Sequence, residues 1–302
     1  MKEEARISVI IPTFNRAHML KGVIDSYLQF PQVYELLIVN DGSTDDTESM
    51  INQLAQNDAR IKLINHDHNQ GMTFARNTGI QHAQGNLILI SEDDLALADN
   101  SLDILIDHME AENADVIAGR RIWMRIGESR QEALDRAHQR GDWPVVNRRF
   151  LEHNSHAITP HDEPAHLVNA TMLIRREVLN KVQYANCYPG NAWREDSDFQ
   201  LTVQQHGFKL IFCPHALFFH YDRPMAGRGR DRFTSDLRYL YWIYHNNKTF
   251  LRRHKIYLKQ HIPESLLFNS PTITSIIYTI YRGLLLFQTE LRRIWLSRQH
   301  SI

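Results

Sequence analysis

Short apolar runs alternate with segments of helical spacing through the first 120 residues of the chain. The runs predict four buried strands, at Arg6–Ile11, Glu35–Asn40, Ile61–Asn65 and Leu87–Ser91. The intervening segments predict helices, at Ala17–Gln29, Thr44–Gln56 and Gly71–Gln84. Nearly continuous apolar strands are typical of a parallel sheet covered on both faces, and strands that alternate with helices predict right-handed βαβ units. The pattern therefore predicts an α/β fold with a mainly parallel sheet flanked by helices.

The rest of the chain continues this pattern after a less regular stretch. Residues 120–166 are rich in Arg and His, and we predict a loop with some helix there. Further elements are predicted as a strand at Ala170–Arg175, a helix from about Glu195 to Gly207, and short strands at Leu210–Phe212 and Leu217–Phe219.

The composition indicates a packed core, because 43% of the 302 residues are hydrophobic and 23% are charged. These proportions exclude a disordered or low-complexity protein. Two cysteines, Cys187 and Cys213, are too few for a disulfide scaffold or a thiolate zinc site, which favours a reducing compartment. The first residues, MKEEARISVI, carry acids where a signal peptide carries basic and apolar residues, so we predict a cytoplasmic location.

Charge is distributed unevenly, although 34 basic and 35 acidic residues leave a net charge of −1. Residues 1–220 hold 20 Lys and Arg against 30 Asp and Glu, a net charge of −10, whereas residues 221–302 hold 14 against 5, a net charge of +9. This balance excludes a chain-wide nucleic-acid binder. It predicts an acidic body, residues 1–222, followed by a basic helical extension, residues 223–302.

The extension contains apolar residues at helical spacing, namely Ile273, Ile276, Ile277, Ile280, Leu284, Phe287, Leu291, Ile294 and Trp295. Arg282 interrupts this helix, which falls short of the roughly 20 apolar residues that a membrane span needs. The flanking residues are basic, including Arg252, Arg253, Lys255, Lys259, Arg292, Arg293 and Arg298. Two hypotheses follow: residues 270–298 attach peripherally to an anionic membrane face, or the helix packs on the body or on a second subunit in a homodimer.

Three adjacent carboxylates, Glu92, Asp93 and Asp94, follow the fourth predicted strand. Such a cluster is destabilised by mutual repulsion unless a cation neutralises it, and a hard divalent ion such as Mg²⁺ or Mn²⁺ suits these ligands. An acidic turn that caps the next helix is an equally good interpretation.

A second acidic group opens the later helix, where Glu195, Asp196 and Asp198 are favoured by the helix dipole. The functional alternative is that one of these carboxylates acts as a general base. His220, at the end of an apolar strand, is either a structural residue or an imidazole ligand of the same metal.

Six motifs follow one another along residues 5–222: SVIIPTFNR, IVNDGSTDDT, NQGMTFARNTGI, LISEDDLAL, NATMLIRREVL, and REDSDFQLTVQQHGFKL with a later His. Their order resembles that of the family 2 glycosyltransferases of the GT-A fold. The resemblance implies a metal-dependent, inverting glycosyltransferase with Mn²⁺ or Mg²⁺ as cofactor. It would move a sugar from a nucleotide-diphosphate sugar, foremost a UDP-sugar, to a hydroxyl of a glycan or glycolipid acceptor in cell-surface polysaccharide biosynthesis.

The resemblance also implies roles for individual residues. Binding of the nucleotide sugar falls on Pro12, Thr13, Asn15, Asp41, Gly71, Arg76, Glu92 and Asp93. Metal binding falls on Asp94 and His220, with Glu92 as a further ligand, and Glu92 stands where the family usually has Asp. Catalysis falls on Asp196 as the base, with Glu195 beside it.

Other functions compete with this interpretation. The same fold could transfer sugar to a polyprenyl phosphate, although the paired transmembrane spans that often accompany such enzymes are lacking. A catalytically inactive, nucleotide-binding partner of a polysaccharide-assembly complex is a second alternative, against which the intact acids Asp94 and Asp196 argue. A nicotinamide oxidoreductase would need a GxGxxG sequence after the first strand, and none is there.

Two sets of residues in the middle region have less direct interpretations. Arg120, Arg121 and Arg125 alternate with apolar residues, which predicts an exposed strand face, with contact to an anionic acceptor as the alternative. Four histidines resemble metal ligands, at His153, His156, His161 and His166. Their spacing matches no tight zinc motif, and we predict a mobile acceptor loop over the active site instead.

Overall fold

The computed structural model describes residues 4–139, 144–154, 157–221 and 232–299. The chain divides into two compact units. The sheet unit comprises Met1–Asn147, Glu152–Asn186 and Glu195–Pro224. The tail unit comprises Arg148–Leu151, Cys187–Arg194 and Met225–Ile302, so two short earlier segments join the C-terminal helices.

The strands of the sheet unit, within the described ranges, are β1 Ile7–Thr13, β2 Val33–Asn40, β3 Ile61–Asn65, β4 Leu87–Ile90, β5 Leu95–Leu97, β6 Val116–Met124, β7 Val146–Asn147, β8 Glu152–His153, β9 Glu163–Pro164, β10 Met172–Arg175 and β11 Leu210–Tyr221. Its helices are α1 Ala17–Lys21, α2 Asp25–Leu28, α3 Thr47–Ala55, α4 Met72–His82, α5 Ser101–Ala111, α6 Arg130–His138, α7 Arg176–Leu179 and α8 Glu195–Gln205. The tail unit contains α9 Arg232–Arg253, α10 Lys255–His261 and α11 Pro271–Gln299.

The main sheet has the strand order β3-β2-β1-β4-β10-β6-β11-β5, and β9 pairs with β11. Its first four strands are parallel neighbours, which confirms the predicted βαβ region. The strand β10 is antiparallel to β4 and β6, and β5 is antiparallel to β11, so the complete sheet is mixed. Successive side chains of β1 reach separate apolar clusters on the two faces, since Val9 belongs to one cluster and Ile10 to the other. The sheet is therefore covered on both sides.

The strand β6 corrects the interpretation of residues 120–166. It lies between β10 and β11, and Arg120 and Arg121 are only 3% and 6% exposed, so the prediction of an exposed face is wrong for these two residues. Arg125, just beyond β6, is exposed as predicted. Arg121 is buried because its guanidinium pairs with Glu92, 2.7 Å away. Arg120 contacts His138 at 3.2 Å and has no carboxylate partner in the described residues.

The strand β11 replaces the two short strands predicted at its place. Its register against β6 shifts between Phe212 and Leu217, where a bulge passes over Gly119. A side chain at Gly119 would place its Cβ 2.5 Å from the Ala216 carbonyl oxygen. Glycine at this position therefore allows the bulge of β11 to lie close against β6.

The tail unit is held together by contacts between its helices and the segment 187–194. The Arg194 side chain donates to Asn247 at 2.8 Å and stacks over the Tyr278 ring at 4.8 Å. Gly190 has φ +74°, and a Cβ there would lie 2.4 Å from the Trp242 ring. Among the helices that the structure describes, none is long and apolar enough to cross a membrane.

Candidate active site

The polar residues that follow β1, β2 and β4 meet at one end of the parallel strands, which we call the carboxyl edge. The strands bring them together because β1 pairs in parallel register with both neighbours, so that Thr13 lies opposite Asn40. The Thr13 hydroxyl donates to Asp93 Oδ2 at 2.9 Å, which connects two predicted binding motifs. Ligands of open α/β sheets bind beyond this edge.

The two turns after β1 and β2 are joined by Asn15, which has φ +53°. Its side-chain oxygen accepts from the backbone N–H of Thr44 at 2.7 Å, and its own N–H donates to the Ser43 hydroxyl at 2.8 Å. Pro12 lies within β1 and pairs with Val39. These contacts give Asn15 a positioning role at the carboxyl edge.

Asp41 organises the entry to α4. Its carboxylate accepts from the backbone N–H groups of Gln70 and Gly71, at 2.9 and 2.8 Å, and lies 2.8 Å from His66 Nδ1. Gly71 has φ +97°, which favours glycine just before the first residue of the helix. The sequence interpretation missed His66, although it follows β3 just as Asp41 follows β2.

A group of two carboxylates and one imidazole, the metal cluster, lies at the carboxyl edge. The ligand atoms of Glu92, Asp94 and His220 lie within 4.8 Å of one another, and His220 Nε2 is 3.3 Å from Asp94 Oδ1. His220 reaches this place because the end of β11 pairs with β5, immediately after the acidic motif. Carboxylate oxygens with one imidazole nitrogen are a donor set that fits Mn²⁺. The residues present therefore fit the cofactor that the resemblance implies.

Two arginines neutralise the acids of the metal cluster. Arg16 contacts Asp93 and Asp94, each at 2.6 Å, and Arg121 contacts Glu92 at 2.7 Å. Burial raises the pKa of Asp93 to about 7, partly offset by the charge of Arg16. Arg16 is the last residue of the motif SVIIPTFNR, but no role was assigned to it from the sequence. No local sequence signal connected Arg121 with Glu92.

A second acidic group, the base cluster, forms where α8 begins. Arg76 on α4 bridges the two acids with one nitrogen, 2.9 Å from Glu195 Oε1 and 2.5 Å from Asp196 Oδ1. Burial raises the pKa of Glu195, an effect opposed by Arg76 and reinforced by the charges of Asp196 and Glu92. The two clusters are thus close enough for the charge of Glu92 to act on both.

The two acids of the base cluster differ in access. The Glu195 side chain is 9% exposed, whereas the Asp196 side chain is 29% exposed. Arg76 itself is buried, and its guanidinium lies 5.1 Å from the Tyr184 ring, which stacks on Phe199. Arg76 therefore holds one side of the Asp196 carboxylate, while part of this side chain stays exposed to solvent.

The histidines of the middle region do not converge on a metal site in the part of the chain described. The groups of potential ligands found there do not include His153, His161 or His166, and His166 instead contacts Gln204 at 3.1 Å. His156 lies outside the described residues.

Solved structures and a family model share features with this chain. The mannosyltransferase PcManGT from Pyrobaculum calidifontis, solved with GDP-Man and Mn²⁺, matches with a TM-score of 0.59 at 15% identity, covering 97% of this chain and 84% of that one. This likeness assigns the GT-A fold. The model of the family "Glycosyl transferase family 2" matches residues 8–183, more than half of the chain. The chain therefore belongs to glycosyl transferase family 2.

Curated relatives cover smaller parts of the chain. Glycosyltransferase GlyG of Streptococcus pneumoniae is 26% identical over 200 residues, 60% of each protein. WfgD of Escherichia coli, a UDP-Glc:alpha-D-GlcNAc-diphosphoundecaprenol beta-1,3-glucosyltransferase, is 34% identical over 117 residues, 37% of this chain and 44% of WfgD. The chain thus spans 60% or less of the length of these relatives.

Proposed function

We propose that this protein is a metal-dependent, inverting glycosyltransferase that uses a nucleotide-diphosphate sugar. The observation that carries the proposal is the pair of acidic clusters. One offers two carboxylates and an imidazole to a cation, and the other offers a separately held, accessible carboxylate. A single displacement with inversion needs this division between stabilising the leaving group and activating the acceptor.

The metal cluster would hold Mn²⁺ or Mg²⁺ through Glu92, Asp94 and His220. When bound, the ion supplies electrostatic stabilisation to the departing diphosphate. Arg16 and Arg121 neutralise these acids in part, and a cation bound by the acids would leave both guanidinium groups available to the anionic diphosphate. Thr13 and Asn15 position the turns that would face the nucleotide.

Asp196 would act as the general base. Its carboxylate removes the proton from the acceptor hydroxyl as that oxygen attacks the anomeric carbon, and the nucleoside diphosphate leaves from the opposite side. Arg76 keeps Asp196 in position through the 2.5 Å contact. Glu195 is more deeply buried and serves to orient Arg76.

We infer that the donor is a UDP-sugar and that the acceptor is a glycan linked to a lipid diphosphate. The name of WfgD supports both parts, because that relative uses UDP-Glc and a diphosphoundecaprenol-linked sugar. Transfer to a polyprenyl phosphate remains the competing activity, and an inactive nucleotide-binding partner the competing non-enzymatic function.

The test measures release of nucleoside diphosphate from a panel of UDP-, GDP- and TDP-sugars, with Mn²⁺ and with EDTA. Lipid-diphosphate-linked glycans and polyprenyl phosphate serve as acceptors in parallel. We expect metal-dependent turnover with one UDP-sugar and a glycan acceptor. Turnover with polyprenyl phosphate alone would favour the competing enzyme, and nucleotide binding without turnover would favour the inactive partner.

We further propose that α11 contacts an anionic membrane face. Ile276, Ile280, Leu284 and Phe287 lie on one stripe of the helix and are 47–61% exposed, whereas Tyr278 on another face is 1% exposed. The surrounding segment 221–302 has a net charge of +9. An exposed apolar stripe on a basic helix is suited to lie in a lipid interface, where each nearby basic residue contributes about 1 kcal/mol.

Sedimentation with anionic and neutral liposomes tests this contact. The double variant Ile280→Glu/Leu284→Glu should lose binding to anionic liposomes, whereas Ile126→Glu, which changes a 71% exposed apolar residue of the sheet unit, should retain it. A parent protein that stays in the supernatant at low salt would contradict the membrane proposal, and a parent that sediments by itself or elutes as a dimer would favour subunit packing.

A further inference from the structure

Three potential metal ligands converge at a place remote from the carboxyl edge. They are His108 on α5, Asp162 just before β9, and Cys213 in the bulge of β11. The antiparallel register pairs Phe212 with Glu163, so the next residues outward, Cys213 and Asp162, are neighbours across the two strands. The ligand atoms of all three side chains lie within 4.8 Å of one another.

The two carboxylate oxygens of Asp162 differ in their contacts. Its Oδ2 lies 2.6 Å from His108 Nδ1, whereas its Oδ1 is buried and has no hydrogen-bond partner among the residues that the structure describes. The Asp162 side chain is 6% exposed. A buried carboxylate oxygen without a partner is costly, and a cation that binds it would remove that cost.

We propose that His108, Asp162 and Cys213 bind a divalent transition-metal ion of the zinc class. One thiolate, one imidazole and one carboxylate form a mixed donor set that suits Zn²⁺, which takes sulfur, nitrogen and oxygen ligands in tetrahedral sites. The two cysteines of the chain excluded a site built on several thiolates, but a mixed site needs only one.

The site is open to solvent on the side of His108, whose side chain is 34% exposed. An ion can therefore enter there, and the fourth position can take a water molecule. His215 is exposed, and its ring centroid lies 5.5 Å from that of His108, so its imidazole is a second candidate for this position. Metal binding to the Cys213 sulfur would release the thiol proton to solvent, because the thiolate is the form that binds a metal.

The bulge explains why these ligands can meet. A regular strand would continue the ladder with β6, whereas the shift between Phe212 and Leu217 frees the segment that contains Cys213 and His215. A bound ion would connect α5, β11 and the start of the two-residue strand β9. Cys213 and His220 are seven positions apart along β11, a distance of roughly 20 Å in an extended strand, so the site is independent of the metal cluster.

Titration of the metal-stripped, full chain with Co²⁺ tests the proposal, because a thiolate ligand produces a charge-transfer absorption that carboxylate and imidazole ligands do not. We expect this band to saturate at one equivalent, to vanish in Cys213→Ser and to persist in the matched control Cys187→Ser. Asp94→Ala should keep the band, which separates this site from the proposed catalytic metal.

Because Cys213 is fully buried, a variant at the accessible ligand provides the second test. His108→Gln should weaken Co²⁺ and Zn²⁺ binding by at least tenfold, since even residues that only support metal ligands are worth roughly 10–100-fold. The control His82→Gln, at an exposed histidine of α4, should bind as the parent does. Absence of the band in the parent, its persistence in Cys213→Ser, or an unchanged metal affinity in His108→Gln would overturn the proposal and leave an ordinary ion pair beside a buried thiol.

Discussion

The metal cluster and the base cluster both contain buried acids close to arginine, but they are built differently. In the metal cluster, Arg16 and Arg121 come from separate elements and contact different acids. In the base cluster, a single arginine, Arg76, bridges both acids from behind and leaves Asp196 29% exposed. The first arrangement reduces repulsion among acids that converge on a point, whereas the second fixes one carboxylate towards solvent. For the proposed roles, charge neutralisation at a metal and proton acceptance by Asp196 would require different placements of the same residue types.

The largest effect on the metal cluster is expected from a change at Asp94. Asp94→Ala should reduce Mn²⁺-dependent turnover to background, because the remaining ligands would lose the oxygen nearest His220. Turnover is measured as nucleoside diphosphate release across an Mn²⁺ titration. The control Asp46→Ala changes an exposed acid of the neighbouring turn and should behave as the parent. Activity within a few-fold of the parent in Asp94→Ala would remove Asp94 from the metal site.

At the base cluster, Asp196→Asn should slow transfer by about 10²–10⁴-fold while nucleotide affinity stays unchanged, because the amide cannot accept the proton. Single-turnover rates and nucleotide titration separate the two effects. The neighbouring Glu195→Gln should cost much less, since Glu195 is buried behind Arg76. A larger loss in Glu195→Gln than in Asp196→Asn would exchange their roles.

Arg121→Gln tests whether this arginine neutralises the acids of the metal cluster. Removing this partner should destabilise the metal-free protein by about 2 kcal/mol, because Glu92 loses a charged hydrogen bond. Mn²⁺ should restore most of that loss by binding Glu92 itself. Urea unfolding with and without Mn²⁺ measures both values. The partly exposed pair Arg175–Glu110 provides the control, and Glu110→Gln, which leaves the Arg175 bond to the Ala114 carbonyl in place, should cost under about 1 kcal/mol with no effect of Mn²⁺.

The smallest expected effect is a pH dependence from Glu195. Its pKa in the folded protein is raised by burial above the ordinary value of 4.5, so the folded state binds this proton more tightly than the unfolded state. The resulting stability is fully present below pH 4.5 and is lost as the pH rises through the raised pKa. Between pH 4.5 and the raised pKa of Glu195, the unfolding temperature of metal-free Glu195→Gln should therefore vary less with pH than that of the metal-free parent. Identical pH profiles would show that Glu195 is not protonated there.

Local sequence signals accounted for the parallel half of the sheet and for most of the residues placed at its edge. The apolar runs that became β1 to β4 are short and bounded by polar turns, so their ends could be located closely. The same reasoning failed at β6, because two adjacent arginines are usually exposed. Their burial depends on Glu92 and His138, which lie at least 18 residues away in sequence.

By itself, the sequence determined the alternation of strands and helices, the two acidic motifs and the amphipathic character of α11, because each depends on residues close together in the chain. Tertiary contacts were needed to show that Glu92, Asp94 and His220 form one cluster, and that Arg76 faces Glu195 and Asp196. The contact between Cys213, Asp162 and His108 arose in the same way. Strand order, register and a bulge bring these residues together, and all three depend on long-range pairing that no local pattern encodes.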